Sequence, residues 1–268
     1  MSLIEAWDRQ QEYYIGGREA RFDALVSVIE WCSEMAGGAR PTVVDLCCGP
    51  AAIGQRLLRR LPGSTYIGVD IDPVLLQLAR QVAASVAPER IKVVANDVVD
   101  PGWLEHVPVG GVDVVCSSTA LHWLSDDELD VTLEHAWRSL RPGGILLNAD
   151  HLGFSDAPTL TALAGWVAAR DALAAAERGA VSWHAWWNAA RSDDELAPLC
   201  AQRDAIHPPT EPVLGDEIEA VRSSTERRPP LAGFVDAARR AGFVEVDTIW
   251  QRFDDRIVMA VKNAVERP

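Results

Sequence analysis

Between Thr42 and Asn148, short apolar runs alternate with amphipathic stretches, and that alternation leaves few folds open. The runs Thr42–Leu46, Thr65–Asp70, Ile91–Ala95, Val112–Ser117 and Ile145–Asn148 read as strands too apolar to face water on either side. Between the first two, Ile53, Leu57, Leu58 and Leu61 recur at helical spacing, with Arg56, Arg59 and Arg60 on the opposite side. Strand, helix, strand in repetition gives a parallel sheet with helices packed on both faces. The helix starts are also written in the chain. Asp72 can cap the second helix with Pro73 in its first turn, and Ser125-Asp126-Asp127-Glu128 is a capping box for the helix running to Leu140. Arg141-Pro142-Gly143-Gly144 then predicts a turn into the fifth strand.

Beyond Asn148 the rhythm breaks. Residues 151–230 are rich in alanine, hold four of the ten tryptophans and include the run His207-Pro208-Pro209-Thr210-Glu211-Pro212, which reads as a helical lid inserted into the domain. A helix over Leu231–Ala241, stopped by Gly242, and a hairpin of Val244–Gln251 with Arg256–Val261 complete the sheet. The expected organisation is one domain: an N-terminal helical segment (1–40), a core of 41–150 and 231–265, and the lid 151–230. Five strands and the hairpin make an α/β doubly wound sheet of about seven strands, mostly parallel, with the C-terminal hairpin antiparallel.

The charge bounds the partners. With 25 Lys and Arg against 39 Asp and Glu, the net charge is −14, unfavourable for nucleic acid or an anionic membrane surface. No apolar run approaches the roughly 18 to 20 residues of a membrane span, and the first residues are polar, so the expected location is the cytoplasm. The five cysteines lack CxxC or zinc-ligand spacing, so no metal site is expected and they read as free thiols. Oligomeric state is not written in the sequence; monomer and homodimer both stay open.

In open α/β sheets a ligand sits at the carboxyl ends of the strands, against backbone amides of the turns there. The first strand ends in Val43-Val44-Asp45-Leu46 and enters the small-residue turn Cys47-Cys48-Gly49-Pro50-Ala51. Asp70 ends the second strand, placed for a ribose diol, and Asn96-Asp97-Val98 follows the third.

Val43–Gly54, Gly68-Val69-Asp70-Ile71-Asp72, Ala95-Asn96-Asp97-Val98, Asp113–Trp123, Leu140–Gly144 and Ala241-Gly242-Phe243 resemble, in order, the motifs of class I S-adenosylmethionine-dependent methyltransferases. The resemblance covers residues 40–150 and 231–263 and implies a Rossmann-like fold with S-adenosylmethionine as cofactor. It implies that Asp45 and the turn Cys47, Cys48, Gly49 and Pro50 face the methionine part of the cofactor, that Asp70 binds the ribose, and that Ile71 packs on the adenine. Asn96, Asp97 and Val98 would meet the adenine edge, and Ser117 would lie near the sulfonium. Cys47 and Ala51 stand where the family has glycine, which is tolerable at Cys47 if its φ is negative. The vicinal cysteines read as small turn residues rather than reactive thiols.

Methyl transfer from a sulfonium needs alignment and exclusion of water, and a base only for some acceptors. His122, just after the fourth strand, is the first candidate base; otherwise it only closes the cofactor pocket. His151, beside Asp150, is the second. Trp183, Trp186 and Trp187 share one helix face, which reads as core or, for Trp183 and Trp187 with Tyr13 and Tyr14, as the wall of an acceptor pocket. Arg18, in the N-terminal segment, could meet the cofactor carboxylate. Asp193-Asp194-Glu195 reads as a solvated helix start. The expected activity is methyl transfer to a hydroxyl or carboxyl oxygen of a small molecule. The alternatives are N- or C-methylation, a non-catalytic methyltransferase-like binding protein, and an NAD-dependent oxidoreductase, the last disfavoured by the absence of GxGxxG.

Overall fold

The computed structural model describes residues 2–206 and 228–264. The N-terminal segment forms α1 (Leu3–Gln10), a 3-10 turn (Gln11–Tyr13) and α2 (Arg18–Met35). The core then runs β1 (Thr42–Leu46), α3 (Ala52–Arg60), β2 (Thr65–Asp70), α4 (Pro73–Val86), β3 (Ile91–Ala95), β4 (Val112–Ser118), α5 (Asp126–Ser139) and β5 (Leu140–His151). The insertion carries α6 (Pro158–Glu177), α7 (Trp183–Arg191) and α8 (Ala197–Ile206). The domain closes with α9 (Leu231–Ala241), β6 (Glu245–Arg252) and β7 (Asp255–Val261). The proline-rich run at 207–212 lies outside the described residues.

The caps read from the sequence are present. Asp72 accepts from the amides of Val74 and Leu75, and the Ser125 hydroxyl and Glu128 carboxylate exchange hydrogen bonds with each other's backbone amides. The seven-stranded sheet has the order β3-β2-β1-β4-β5-β7-β6, parallel except along β7. The chain works outward from β1 to β3 and then returns to β4, so the switch point lies between β1 and β4. Pairing of Asp45 with Cys116 and Leu46 with Ser117 sets the two strand tips side by side there.

Two expectations change in detail. Arg141-Pro142-Gly143-Gly144 is not a turn before the strand. Leu140 already pairs with Val112 and Ile145 with Val114, so the four residues bulge out of a longer β5. The strand can start at once because Lys262 Nζ donates to the carbonyls of Trp137 and Leu140, at 2.8 and 2.6 Å, satisfying the end of α5. At its other end β5 continues to His151, which puts Asp150 and His151 inside the sheet rather than at the start of the insertion.

One core packs α2, α3 and part of α4 on one sheet face, and a second packs α5 and α9 on the other. A third joins Trp7 of α1, Val74 and Leu78 of α4, and Trp186, Trp187, Ala190 and Cys200 of the insertion. The two described ends of the insertion meet, Gly153 bridging Pro230 and Leu231 donating to the Gly153 carbonyl at 3.2 Å. No helix among the described residues is long and apolar enough to cross a membrane.

Candidate active site

The turn after β1 is held from below by Asp70. Its Oδ2 accepts the Gly49 amide at 2.8 Å and its Oδ1 the Asp72 amide at 2.9 Å. Each oxygen keeps a lone pair for a further donor. Burial raises the Asp70 pKa above the ordinary carboxylate range, against the lowering effect of these amides. Cys47 and Ala51 both adopt left-handed backbone, at φ +56 and +60, as Gly49 does at +53. The condition of a negative φ at Cys47 is therefore not met. The loop keeps the geometry of a glycine turn, and the residues that replaced glycine carry the strain.

The turn's thiols stay protonated. Burial raises the Cys47 pKa well above its ordinary value, and the carboxylates of Asp70, Asp45, Asp97 and Asp150 push it further. These four acids come from β1, β2, the loop after β3, and β5, so Cys47 sits where their fields overlap. Such a groove suits a cation, and a sulfonium with an ammonium group is one. Asp45 is fully buried, accepts from the Tyr66 hydroxyl, and leaves Oδ1 without a partner among the described residues. Burial lifts its pKa to about 7.

Ile71 is 38% exposed, an apolar side chain beside the Asp70 tip. Asp97 is exposed and turns back on its own loop, Oδ1 accepting the Val99 amide at 3.0 Å. Asn96 Nδ2 donates to the Asp97 and Asp100 carbonyls, and the Val98 carbonyl accepts from Trp103 Nε1. Ser117 departs from its expected place: it is fully buried and its Oγ donates to the Leu46 carbonyl at 2.9 Å, pinning β4 to β1 instead of facing the groove.

The two candidate histidines part company. Asp150, fully buried, accepts His122 Nδ1 at 2.7 Å on Oδ1 and the His122 amide at 3.1 Å on Oδ2. His151 meets that carboxylate only through its backbone amide, at 2.8 Å. The His151 ring points to the other face of the sheet, where its Nε2 donates to the Tyr14 carbonyl at 3.0 Å. Burial, then the positive Arg228, Arg21 and His122, hold its pKa well below 6.5. It is thus a neutral strut under the N-terminal segment, and not a base paired with Asp150.

A carboxylate can only accept, so Asp150 fixes the proton of His122 on Nδ1 and leaves Nε2 with its lone pair. No hydrogen bond among the described residues occupies that Nε2. The ring of Trp123, 82% exposed, lies 4.8 Å from the His122 ring. The His122–Asp150 pair was not visible in the sequence because 28 residues separate its members, and only the β4–β5 register unites them.

Other expected contacts resolve differently. Arg18 pairs with Asp8 at 2.6 Å and stacks on Phe22, so it is not free for a cofactor carboxylate. One turn on, the buried Arg21 bonds Asp255 at 2.7 Å, Ser118 at 3.0 Å and Thr119 at 2.5 Å. Thr119 stands at φ +58, strained for a β-branched residue, three residues before His122. Tyr13 and Tyr14 are half-buried, and it is a backbone carbonyl of Tyr14 that meets the site's surroundings. Trp187 is buried against Trp7 and Trp186, and Trp183 packs 5.7 Å from Trp7, which makes the stripe core and not pocket wall. Asp193-Asp194-Glu195 is the solvated helix start expected: Asp193 accepts the Glu195 and Leu196 amides at 3.0 and 3.1 Å ahead of α8, and the exposed Glu195 accepts from Gln77 and Gln81 of α4.

Residues 43–144 match the family model described as a methyltransferase domain. Over 145 residues the chain is 30% identical to the biotin biosynthesis bifunctional protein BioCD of Bordetella avium, covering 54% of this chain and 29% of that protein. It is 33% identical over 105 residues to trans-aconitate 2-methyltransferase of Azoarcus sp., covering 39% of this chain and 37% of that one. The chain thus spans less than half the length of either curated relative. Among solved structures, an O-methyltransferase family protein from Burkholderia thailandensis shares the fold at 19% identity and TM-score 0.54, over 96% of this chain and 64% of that one. On its seven-stranded sheet with the switch point between β1 and β4, the segment 43–144 thus carries a methyltransferase domain.

Proposed function

We propose that the chain methylates a hydroxyl group of a small molecule, with S-adenosylmethionine as donor and His122 as general base. The observation that carries this reading is the buried Asp150 on Nδ1 of His122, which leaves Nε2 able to take a proton. S-adenosylmethionine, when bound, supplies an electrophilic methyl group on a sulfonium. Asp70 would hold its ribose, Ile71 and the loop of Asn96, Asp97 and Val98 its adenine, and the turn Cys47 to Pro50 with Asp45 its methionine end. The fit rests on the carboxylates of Asp70, Asp97 and Asp150, whose fields reach Cys47.

A hydroxyl becomes a competent nucleophile as its proton leaves. His122 Nε2 takes it, and Asp150 stabilises the imidazolium so formed. Trp123 offers an apolar face beside the base. A carboxyl acceptor is already anionic and has no use for this base, which favours the hydroxyl. The name of the Azoarcus relative points to the carboxyl instead. Replacing His122 separates the two, since only hydroxyl transfer should collapse.

Calorimetry with S-adenosylmethionine and S-adenosylhomocysteine tests the enzyme reading. Binding at millimolar concentration or tighter is expected, and no heat with either compound overturns it. An acceptor panel of hydroxyl, carboxyl, amine and carbon nucleophiles, read by release of S-adenosylhomocysteine, then identifies the atom methylated.

A further inference from the structure

On the β7 side of the sheet, away from the cofactor turn, Arg256 is 5% exposed and forms no ion pair among the described residues. Its Nη1 donates to the Leu152 and Gly153 carbonyls, at 2.8 and 3.3 Å, and its guanidinium stacks 4.8 Å from the Phe154 ring centroid. Among the described residues no hydrogen bond is made by Nε or Nη2, and Nε is buried. Asp254, the acid that attracts it, is already held by Arg228. Nη2 is thus the guanidinium nitrogen that is neither buried nor hydrogen-bonded among the described residues, and a cationic N–H left open in this way suits an anionic oxygen.

This arginine lines a cavity of about 350 Å³ between the Gly153-Phe154-Ser155 loop and α9, with Leu231, Ala232 and Val235 as its apolar side. The volume falls within the range of small-ligand sites. At the rim the charged groups are Arg239 and Asp236, both exposed, so their charges offset each other and are screened by water. Arg256 is the rung partner of Asp150 in the β5–β7 ladder. The cavity is therefore built on the same two strands that hold the candidate base.

We propose that this cavity is a carboxylate-binding site, in which Nη2 of Arg256 donates to a small organic acid whose apolar part lies on Phe154, Leu231 and Val235. The ligand class is a monocarboxylate with a short apolar body, and its recognition does not depend on methyl transfer. Such an acid could be the acceptor itself, with its carboxylate held here, or a separate effector. The two share one chemistry, and S-adenosylhomocysteine distinguishes them: an acceptor's binding should respond to its presence, whereas a separate effector's should not.

The test titrates hexanoate and phenylacetate, with their neutral primary amides, into the full chain and follows the side-chain Nε–H resonances of its arginines by NMR. The expected result is a saturable shift of the Arg256 signal by the acids, with at least about tenfold weaker binding of the amides. Val235→Trp fills the cavity without touching the guanidinium and should abolish the shift in a protein whose melting temperature is unchanged. Arg256→Lys keeps the charge but withdraws Nη2 from the cleft, and should weaken the acids about tenfold. Equal binding of acid and amide, an Arg256 signal that never moves, or full binding by the folded Val235→Trp protein would each overturn the proposal. Because neither readout involves methyl transfer, these results stand apart from the outcome of the cofactor titration.

Discussion

His122 Nδ1 lies 2.7 Å from Asp150 Oδ1, joining the loop after β4 to the tip of β5. This contact selects one tautomer, so nitrogen NMR of the neutral imidazole should find Nδ1 of His122 protonated and Nε2 bare. For a hydroxyl acceptor, His122→Ala should lower kcat by about 10²–10⁴-fold. Asp150→Asn can donate to Nδ1 and so push the proton to Nε2, and a loss of similar order is expected. Turnover within about threefold of the parent in both variants would reduce the pair to a structural role.

Asp70 carries two loads at once, the Gly49 and Asp72 amides on one side and the expected ribose on the other. Asp70→Asn keeps one acceptor and loses the charge. We expect affinity for S-adenosylhomocysteine to fall by about 1–3 kcal/mol, the range for a charge-assisted hydrogen bond. Unchanged affinity in calorimetry would remove Asp70 from the cofactor site.

The parts of this fold legible in the sequence were those governed by local rules. Short apolar runs and helical patterning placed six of the seven strands to within about one residue and found only the middle of β5, and Asp72 and Ser125 announced their helices as caps do. Relations between distant segments were not legible. Trp7 closes the tryptophan core from a helix 176 residues before Trp183, and Asp150 turned to His122 rather than to its own neighbour His151. Ser117 has the right position in the chain but faces into the β1–β4 seam, because side-chain direction in a strand flips with each residue. Arg21 reaches Asp255, Ser118 and Thr119 one turn further along the same helix face, while Arg18 is held by Asp8.

Asp45 gives the protein a measurable pH dependence. Its folded pKa of about 7 exceeds the unfolded value near 4, so the folded state keeps a proton that the unfolded chain has released. Its contribution is fully present below about pH 4 and falls by about 1.4 kcal/mol per unit as pH rises toward about 7. Asp45→Asn carries no titrating proton. Urea unfolding at pH 5 and pH 7.5 should show a smaller pH-dependent loss in the variant than in the parent, and equal losses would contradict the burial of a neutral Asp45.

The tryptophan core predicts a split between stability and substrate binding. Trp186 lies 4.7 Å from Trp7 and 4.9 Å from Trp187, with Arg203 stacked on Trp187 and bonded to Asp72 at 2.8 Å. Trp186→Ala should cost about 3–5 kcal/mol in denaturant unfolding, the usual range for a buried aromatic. In the folded population, KM for the acceptor should stay within about twofold of the parent. A tenfold rise in KM without loss of stability would return these residues to the acceptor pocket.

Cys47 offers the last test, since it is a side chain in a backbone position suited to glycine. At φ +56 its Cβ crowds the local backbone at a cost of about 1–2 kcal/mol, while glycine would bring an entropic cost of about 0.5–1 kcal/mol in the unfolded chain. Cys47→Gly should therefore leave stability unchanged or raise it by up to about 1 kcal/mol. It also removes a side chain from the floor of a groove on which four carboxylates converge, so affinity for S-adenosylhomocysteine should rise several-fold. Calorimetry and thermal unfolding on the same preparation check both halves. A variant that binds more weakly would mean that the thiol packs on the ligand, and that this chain has turned a strained cysteine into part of its cofactor site.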